Sequence, residues 1–240
     1  MEWGPLVHGY LLERRNRFAV SVELDDGRVV SAHLPNSGRL EEVLRFRNEC
    51  WLVPRPSPKR KTGYDLLICR DGPTLVSVDA RLPPVLLSEA WGDGRLHPFG
   101  KPLSIEREVT INGHRLDLLV KSRRGPLWVE TKSVTLVVGK VALFPDAPTE
   151  RGQVHLKVLE SLVQKGARAA VFFVIQRPDA QYFSPNETAD PVFAQLLRRV
   201  FLSGVLVKAY SCWVTLSGAG ILRSVPVRLT LPNSKKSCKS

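Results

Sequence analysis

Apolar and polar positions change their grammar part-way along the chain. From residue 5 to about 80, short apolar runs of strand length are punctuated by turn residues. Phe18–Leu24 and Arg28–Leu34 flank Asp25-Asp26-Gly27, which predicts a β-hairpin. A short helical piece is expected at Arg39–Leu44, after the Asn36-Ser37-Gly38 break, followed by strands at Glu49–Pro54, Tyr64–Cys69 and Leu75–Asp79. Strands with one short helix after the third point to a small barrel of the oligonucleotide-binding (OB) type. A plain β-sandwich has the same pattern.

Four prolines and several glycines between Arg81 and Ser104 mark a seam, with an amphipathic run at Val85–Trp91 following Pro83-Pro84. Beyond it, Glu108–Ile111 and His114–Val120 flank Asn112-Gly113, a strong hairpin signal, and a further strand is expected at Leu127–Val134. Thr149 is placed to cap a helix over residues 150–165, in which Val154, Val158, Leu159 and Leu162 keep helical spacing and Gly166 ends the run. Ala169–Ile175 is continuously apolar, as a strand buried on both faces is. Asp190-Pro191 opens a last helix that closes near Gly204. The pattern divides the chain into residues 1–82, an OB-type barrel, residues 83–232, a mixed α/β (α+β) sheet flanked by helices, and a polar, basic tail at 233–240.

Charge changes this picture more than composition does. The 240 residues carry 35 Lys and Arg against 23 Asp and Glu, a net +12 that favours polyanions, of which nucleic acid is the commonest large one. At 43% hydrophobic residues, a core needs no disulfide or structural metal, and the four cysteines form no C-x-x-C pair. No signal-peptide pattern or membrane-length apolar run is visible, so a cytoplasmic protein is expected.

One constellation carries chemistry. Asp117 interrupts an apolar strand, where a carboxylate is costly to bury unless it is paired, hydrogen-bonded or metal-bound. On the next strand, the period of two puts Glu130 and Lys132 on one face, and a hairpin neighbour brings Asp117 opposite Glu130. A divalent cation between the two carboxylates removes their repulsion, and oxygen ligands select Mg2+ or Mn2+. Lys132 either orients water and offsets phosphate charge or simply forms a salt bridge with one of the acids. An acid followed by E-x-K on the adjacent strand is the minimal PD-(D/E)xK nuclease pattern. Arg151, Gln153 and His155 gather where a loop enters a helix, a place suited to phosphate, although Arg151 there can also serve only to cap a carboxylate. Lys59-Arg60-Lys61 is a basic loop between barrel strands, and Arg14, Arg15 and Arg17 extend the same candidate nucleic-acid surface. His8, His33, His97 and His114 are scattered and read as structural or surface residues.

Longer strings then carry a resemblance. Arg15-x-Arg17-Phe18, His33-Leu34-Pro35-Asn36-Ser37-Gly38-Arg39, Lys59–Thr62, Val78-Asp79 and Arg115-Leu116-Asp117 are followed by Glu130–Leu136, Phe144–Gln153, His155-Leu156, Phe183-Ser184-Pro185 and Asp190-Pro191. Along nearly its whole length, from about Leu12 to Leu229, the chain resembles the sugar fermentation stimulation protein A family. The resemblance implies an OB-type barrel joined to a PD-(D/E)xK nuclease-like domain, DNA binding, and a regulatory role in sugar metabolism. It also implies an acidic metal site of Glu108, Asp117 and Glu130 with Lys132 beside them, with Glu106 an alternative to Glu108, and it adds Arg39 to the basic surface. Two functions stay open: a Mg2+- or Mn2+-dependent phosphodiesterase, and a non-catalytic DNA-binding regulator. A sugar-converting enzyme has no support in the residues. RNA or single-stranded nucleic acid remains an alternative ligand, and a homodimer stays open.

Overall fold

The computed structural model describes residues 1–96, 99 and 101–229, so the basic tail at 233–240 and His97 lie outside the described residues. The first part consists of β1 (Val7–Asn16), β2 (Ala19–Leu24), β3 (Val29–His33), β4 (Glu49–Pro54), β5 (Tyr64–Asp71) and β6 (Thr74–Ser77). The strands run in the order β3-β2-β1-β4-β5-β6, and a parallel β3–β5 pairing at Ala32–Tyr64 and His33–Asp65 closes them into the OB-type barrel. Closure pairs the free edge of β3 with β5, leaves β6 as an added strand on β5, and encloses Leu11, Val20, Val22, Leu52, Leu66 and Val76 in a small core.

β1 has no counterpart in the predicted elements, and the helical piece expected at Arg39–Leu44 is not formed. Those residues make a turn in which the Val43 and Leu44 amides both donate to the Leu40 carbonyl, at 3.1 and 2.8 Å. Leu40 itself takes a left-handed φ of 57°, which stops helix propagation despite the good helix formers around it.

Next come α1 (Pro83–Gly92), β7 (Ser104–Ile111), β8 (His114–Ser122), β9 (Gly125–Val134), β10 (Val137–Val138), β11 (Val141–Phe144), α2 (Glu150–Gln164), β12 (Arg168–Ile175), β13 (Tyr182–Pro185), α3 (Pro191–Leu202), β14 (Leu206–Val214) and β15 (Ala219–Val225). A mixed six-stranded sheet runs β15-β14-β12-β9-β8-β7, with β9, β12 and β14 parallel, and β10-β11-β13 form a small separate sheet. Both caps operate as their residues suggest. Thr149 accepts from the Gly152 amide, and Asp190 accepts from the Phe193 amide. Asn112 and Gly113, at φ 49° and 76°, make the two-residue turn between β7 and β8.

Each face of this sheet has a different cover. The α2 and α3 faces, through Leu156, Leu159, Phe193 and Leu197, pack on Val171 and Phe173. The opposite face, with Leu118, Val129 and Phe172, is covered by Leu86 and Trp91 of α1 together with Trp51, Val53, Leu67 and Ile68 of the barrel. The Pro-rich stretch is therefore not a loose seam. Its helix sits inside a core that both parts share.

Candidate active site

The chemistry gathers where β8 and β9 part company. Their paired register runs from Ser122–Gly125 to Leu118–Val129, and Asp117 lies one residue beyond it. From there β9 continues along β12 as far as Val134–Ile175. The edge of β9 turned toward β8 is thus free to bond a side chain. The Thr131 amide and hydroxyl both donate to Asp117 Oδ2, at 2.7 and 2.5 Å. Burial, and then the nearby Glu130 charge, push the Asp117 carboxyl above its ordinary pKa, against the pull of those Thr131 hydrogen bonds.

Glu130 is buried one strand away. Its Oε1 accepts from Lys132 Nζ at 2.6 Å and from His155 Nδ1, which α2 supplies. Burial raises the pKa of this acid, but Lys132 and His155 outweigh it, so the carboxyl is held below its ordinary value and ionised. An ionised carboxylate only accepts, which makes Nδ1 of His155 the protonated ring nitrogen. Glu130 Oε2 is buried and has no hydrogen-bond partner in the protein. A lone buried carboxylate oxygen close to a second, repelling carboxylate suits a hard divalent cation better than any neutral ligand.

Both acids line a cavity of about 1060 Å³ between the barrel and the sheet. The barrel contributes Arg17, Phe18 and the Pro35–Gly38 loop; the other part contributes Arg81, Arg107, Lys132 and the stretch from Phe144 to Gly152. Asp146 joins the two walls by accepting from the Leu40 amide at 3.1 Å.

The expected site residues separate against this geometry. Asp117, Glu130 and Lys132 come together as the spacing suggests. The salt-bridge reading of Lys132 is realised with Glu130 as partner. Glu108 lines the cavity but is exposed and points to Arg115 at 3.7 Å, so the three expected metal ligands are not assembled. Among the described residues, no group of three or more His, Cys, Asp or Glu side chains stands in metal-holding geometry. Glu106 pairs with Lys121 at 2.5 Å and does not line the cavity. His155 is not on a phosphate-facing rim: it is buried on Glu130. Gln153 donates to Asp190 at 3.1–3.2 Å, which ties it to the α3 cap, whereas Arg151 does line the cavity.

The basic barrel loop also sits elsewhere. Lys59 and Lys61 are exposed, Arg60 turns back onto buried Asp65, and none of the three lines the cavity. Arg15 lies 3.6 Å from Glu13, and Arg39 is exposed, with its carbonyl held by Arg14 at 2.7 Å. Of the expected basic surface, Arg17 and Arg151 reach the cavity. Sequence reasoning missed Thr131, Arg81 and Arg107. None of the three had a signal in the residue pattern; Thr131 sits at the opposite parity to Glu130 and Lys132 and reaches Asp117 only because the β8–β9 ladder ends there.

Comparison with known proteins agrees with this architecture. The family model described as SfsA N-terminal OB domain matches residues 12–78, and the one described as sugar fermentation stimulation protein RE domain matches residues 81–218. The chain belongs to the sugar fermentation stimulation protein family. A family homologue from Moorella thermoacetica is 41% identical over 226 residues, covering 93% of this chain and 97% of the relative. Another, from Caldanaerobacter subterraneus subsp. tengcongensis, is 40% identical over 208 residues, covering 87% and 90%. Among solved structures, that of Pyrococcus furiosus SfsA in complex with Ca2+ superposes with a TM-score of 0.89 at 32% identity, covering 95% of this chain and 98% of that one. Like other family members, the chain pairs an OB domain with a second domain. No helix among the described residues is long and apolar enough to cross a membrane.

Proposed function

We propose that this protein binds nucleic acid, DNA in the first instance, in the cavity between its two parts, and hydrolyses phosphodiester bonds there with Mg2+ or Mn2+. The observation that carries the reading is the unpartnered, buried Glu130 Oε2 beside Asp117 in a cavity rimmed by arginines. The Pyrococcus furiosus relative was solved in complex with Ca2+, a hard divalent ion, which is in keeping with this reading.

Asp117 and Glu130 Oε2 would hold the cation, which when bound polarises phosphate and acidifies a water. Thr131 keeps Asp117 turned inward through Oδ2. His155 and Lys132 hold Glu130 by Oε1, so that Oε2 is the oxygen left for the cation. Lys132 Nζ, at the cavity wall, would orient the attacking water or offset charge on the phosphate. Arg17 and Arg151 approach the backbone as point charges, in keeping with the net +12.

The test is incubation of purified protein with labelled single- and double-stranded DNA and RNA in Mg2+, Mn2+ or EDTA. Divalent-dependent cleavage is expected, with loss of about 100-fold or more in Glu130→Gln and in Lys132→Ala. Cleavage that persists in both variants marks a contaminant. Binding without cleavage under any metal overturns the catalytic reading in favour of a DNA-binding regulator.

A further inference from the structure

Phe18 is a large aromatic side chain left 47% exposed, and it lines the same cavity as Asp117 and Glu130. Single exposed aromatics are common and by themselves mean little. This one is mounted on an unusually fixed turn. Its amide donates to Asn16 Oδ1 at 2.9 Å, and its carbonyl accepts from the Leu34 amide at 2.8 Å. Arg14 reaches under the turn and donates to the carbonyls of Asn16, Arg17, Gly38 and Arg39, at 3.2, 2.8, 2.7 and 2.7 Å. The guanidinium of Arg17 stands 5.4 Å from the Phe18 ring centroid. The ring is thus held out toward the cavity with a cation beside it, and the chain gains no core packing from that position.

Arg17, Arg107 and Arg151 all line the cavity, and among the described residues none of them forms an ion pair. An aromatic face accompanied by unneutralised cations is the combination that binds unpaired nucleotides: bases stack on the ring while phosphates follow the cations. Inside a duplex the base faces are already stacked on one another, so only an unpaired base or a strand end can lie on Phe18. At about 1060 Å³ the cavity has room for a base and the backbone on either side of it.

We propose that the cavity takes single-stranded nucleic acid, with one unpaired base stacked on Phe18 and the backbone led past Arg17 toward Asp117 and Glu130. This rests on the reading of the cavity as a nucleic-acid site and adds the strandedness of what enters it. Affinities measured by fluorescence anisotropy in EDTA, where no cleavage occurs, test it. The ligands are a labelled single-stranded DNA, the same sequence as RNA, and a blunt duplex of equal length. Phe18→Ala should weaken single-strand binding about 5- to 100-fold, the range of one lost base stack, and change duplex binding less than about twofold. Phe18→Trp should restore the affinity, and the melting temperature of both variants should match wild type, since the ring is not part of a core. The DNA and RNA arms decide which sugar the site accepts. Single-strand affinity that is indifferent to Phe18→Ala, or a duplex affected equally, overturns the inference while leaving a nucleic-acid site intact. Absence of binding to all three ligands overturns both.

Discussion

At the scale of single residues, Asp117 holds the clearest consequence of the site's electrostatics. Burial and Glu130 both disfavour its anion, so the folded chain binds this proton more tightly than the unfolded one does. The stabilisation this gives is complete below the ordinary carboxylate pKa and is lost as pH rises through the raised value. As pH rises, ionising Asp117 therefore works against the fold when no metal is bound. Asp117→Asn keeps an oxygen for the two Thr131 donors while removing the charge. In EDTA at neutral pH it should raise the melting temperature, and the gain should shrink as pH falls into the ordinary carboxylate range. Adding Mg2+ or Mn2+ should reverse the order, because the ion stabilises only the form that binds it. A variant less stable than wild type at every pH, and equally responsive to metal, would remove Asp117 from the site. Asp117, Glu130 and Lys132 were legible in the sequence because the period-two rule and a tight hairpin fix their faces. Thr131 was not, since its neighbours' parity turns it away; only the end of the β8–β9 pairing exposes its amide and hydroxyl to Asp117. Glu108 illustrates the converse. Its parity is right, but a φ of 54° and the pull of Arg115 carry its side chain outward, and neither is written in a residue pattern.

At the scale of elements, the helices behind the site were the most readable part, because capping is local chemistry. Thr149 and Asp190 identify two helix starts without any tertiary knowledge. What the pattern could not show is that one side chain serves both. Asp190 accepts from the Phe193 amide at 2.8 Å in its own helix, and also from the Thr149 amide at 2.9 Å at the start of α2. Burial raises the Asp190 pKa, but the N–H donors outweigh it and leave the carboxyl below its ordinary value. Its contribution is therefore present above the ordinary carboxylate pKa and is lost as pH falls through the lowered one. Asp190→Ala should lower stability at neutral pH by about 2–3 kcal/mol, roughly 5–10 °C, and the deficit should narrow in acid. A deficit independent of pH would mean that packing, not the carboxylate, links α2 to α3. The turn at Arg39–Leu44 was misread for the opposite reason. Its residues favour helix, but Leu40 is buried in the barrel and its amide is committed to Asp146, so tertiary contacts override propensity there. Gly38 shares that junction, where an added Cβ would meet Asp146 Oδ2 at 2.6 Å and push on the carboxylate that holds the Leu40 amide.

At the scale of the whole molecule, the sequence divides into two grammars, and the natural inference is two domains on a linker. The structure joins them through a continuous core. Trp51, Val53, Leu67 and Ile68 of β4 and β5 face Leu86 and Trp91 of α1 and Leu118 and Phe172 of the sheet. The signal was present in β4 and β5, where Cys50-Trp51-Leu52-Val53 and Leu66-Leu67-Ile68-Cys69 are continuous apolar runs. A barrel strand with a wet outer face alternates; one buried on both sides does not. Polar contacts reinforce the junction. The Ser77 amide donates to the Gln176 carbonyl at 3.0 Å, Gln176 Nε2 donates to the Asp79 carbonyl at 2.9 Å, and Arg177 Nη1 donates to Asp71 at 2.9 Å. The chain's first residues lie on the far part as well, with the Trp3 indole donating to the Thr215 carbonyl at 2.9 Å. Separating the halves would expose those tryptophans and leave these buried groups without partners. Unfolding should consequently be one cooperative transition. Leu52→Ala, inside the barrel core, and Phe193→Ala, inside the α2–α3 core, should each cost about 2–5 kcal/mol. Each should lower the same midpoint, whether followed by tryptophan emission or by far-ultraviolet dichroism, and a calorimetric scan should show a single peak in both variants. Two resolved peaks, with each variant shifting only its own, would reduce the junction to a docking contact. The cavity's two walls could then move apart independently of folding. A single transition instead means that the barrel side, with Arg17 and Phe18, and the acidic side, with Asp117 and Glu130, are fixed relative to one another by the fold itself.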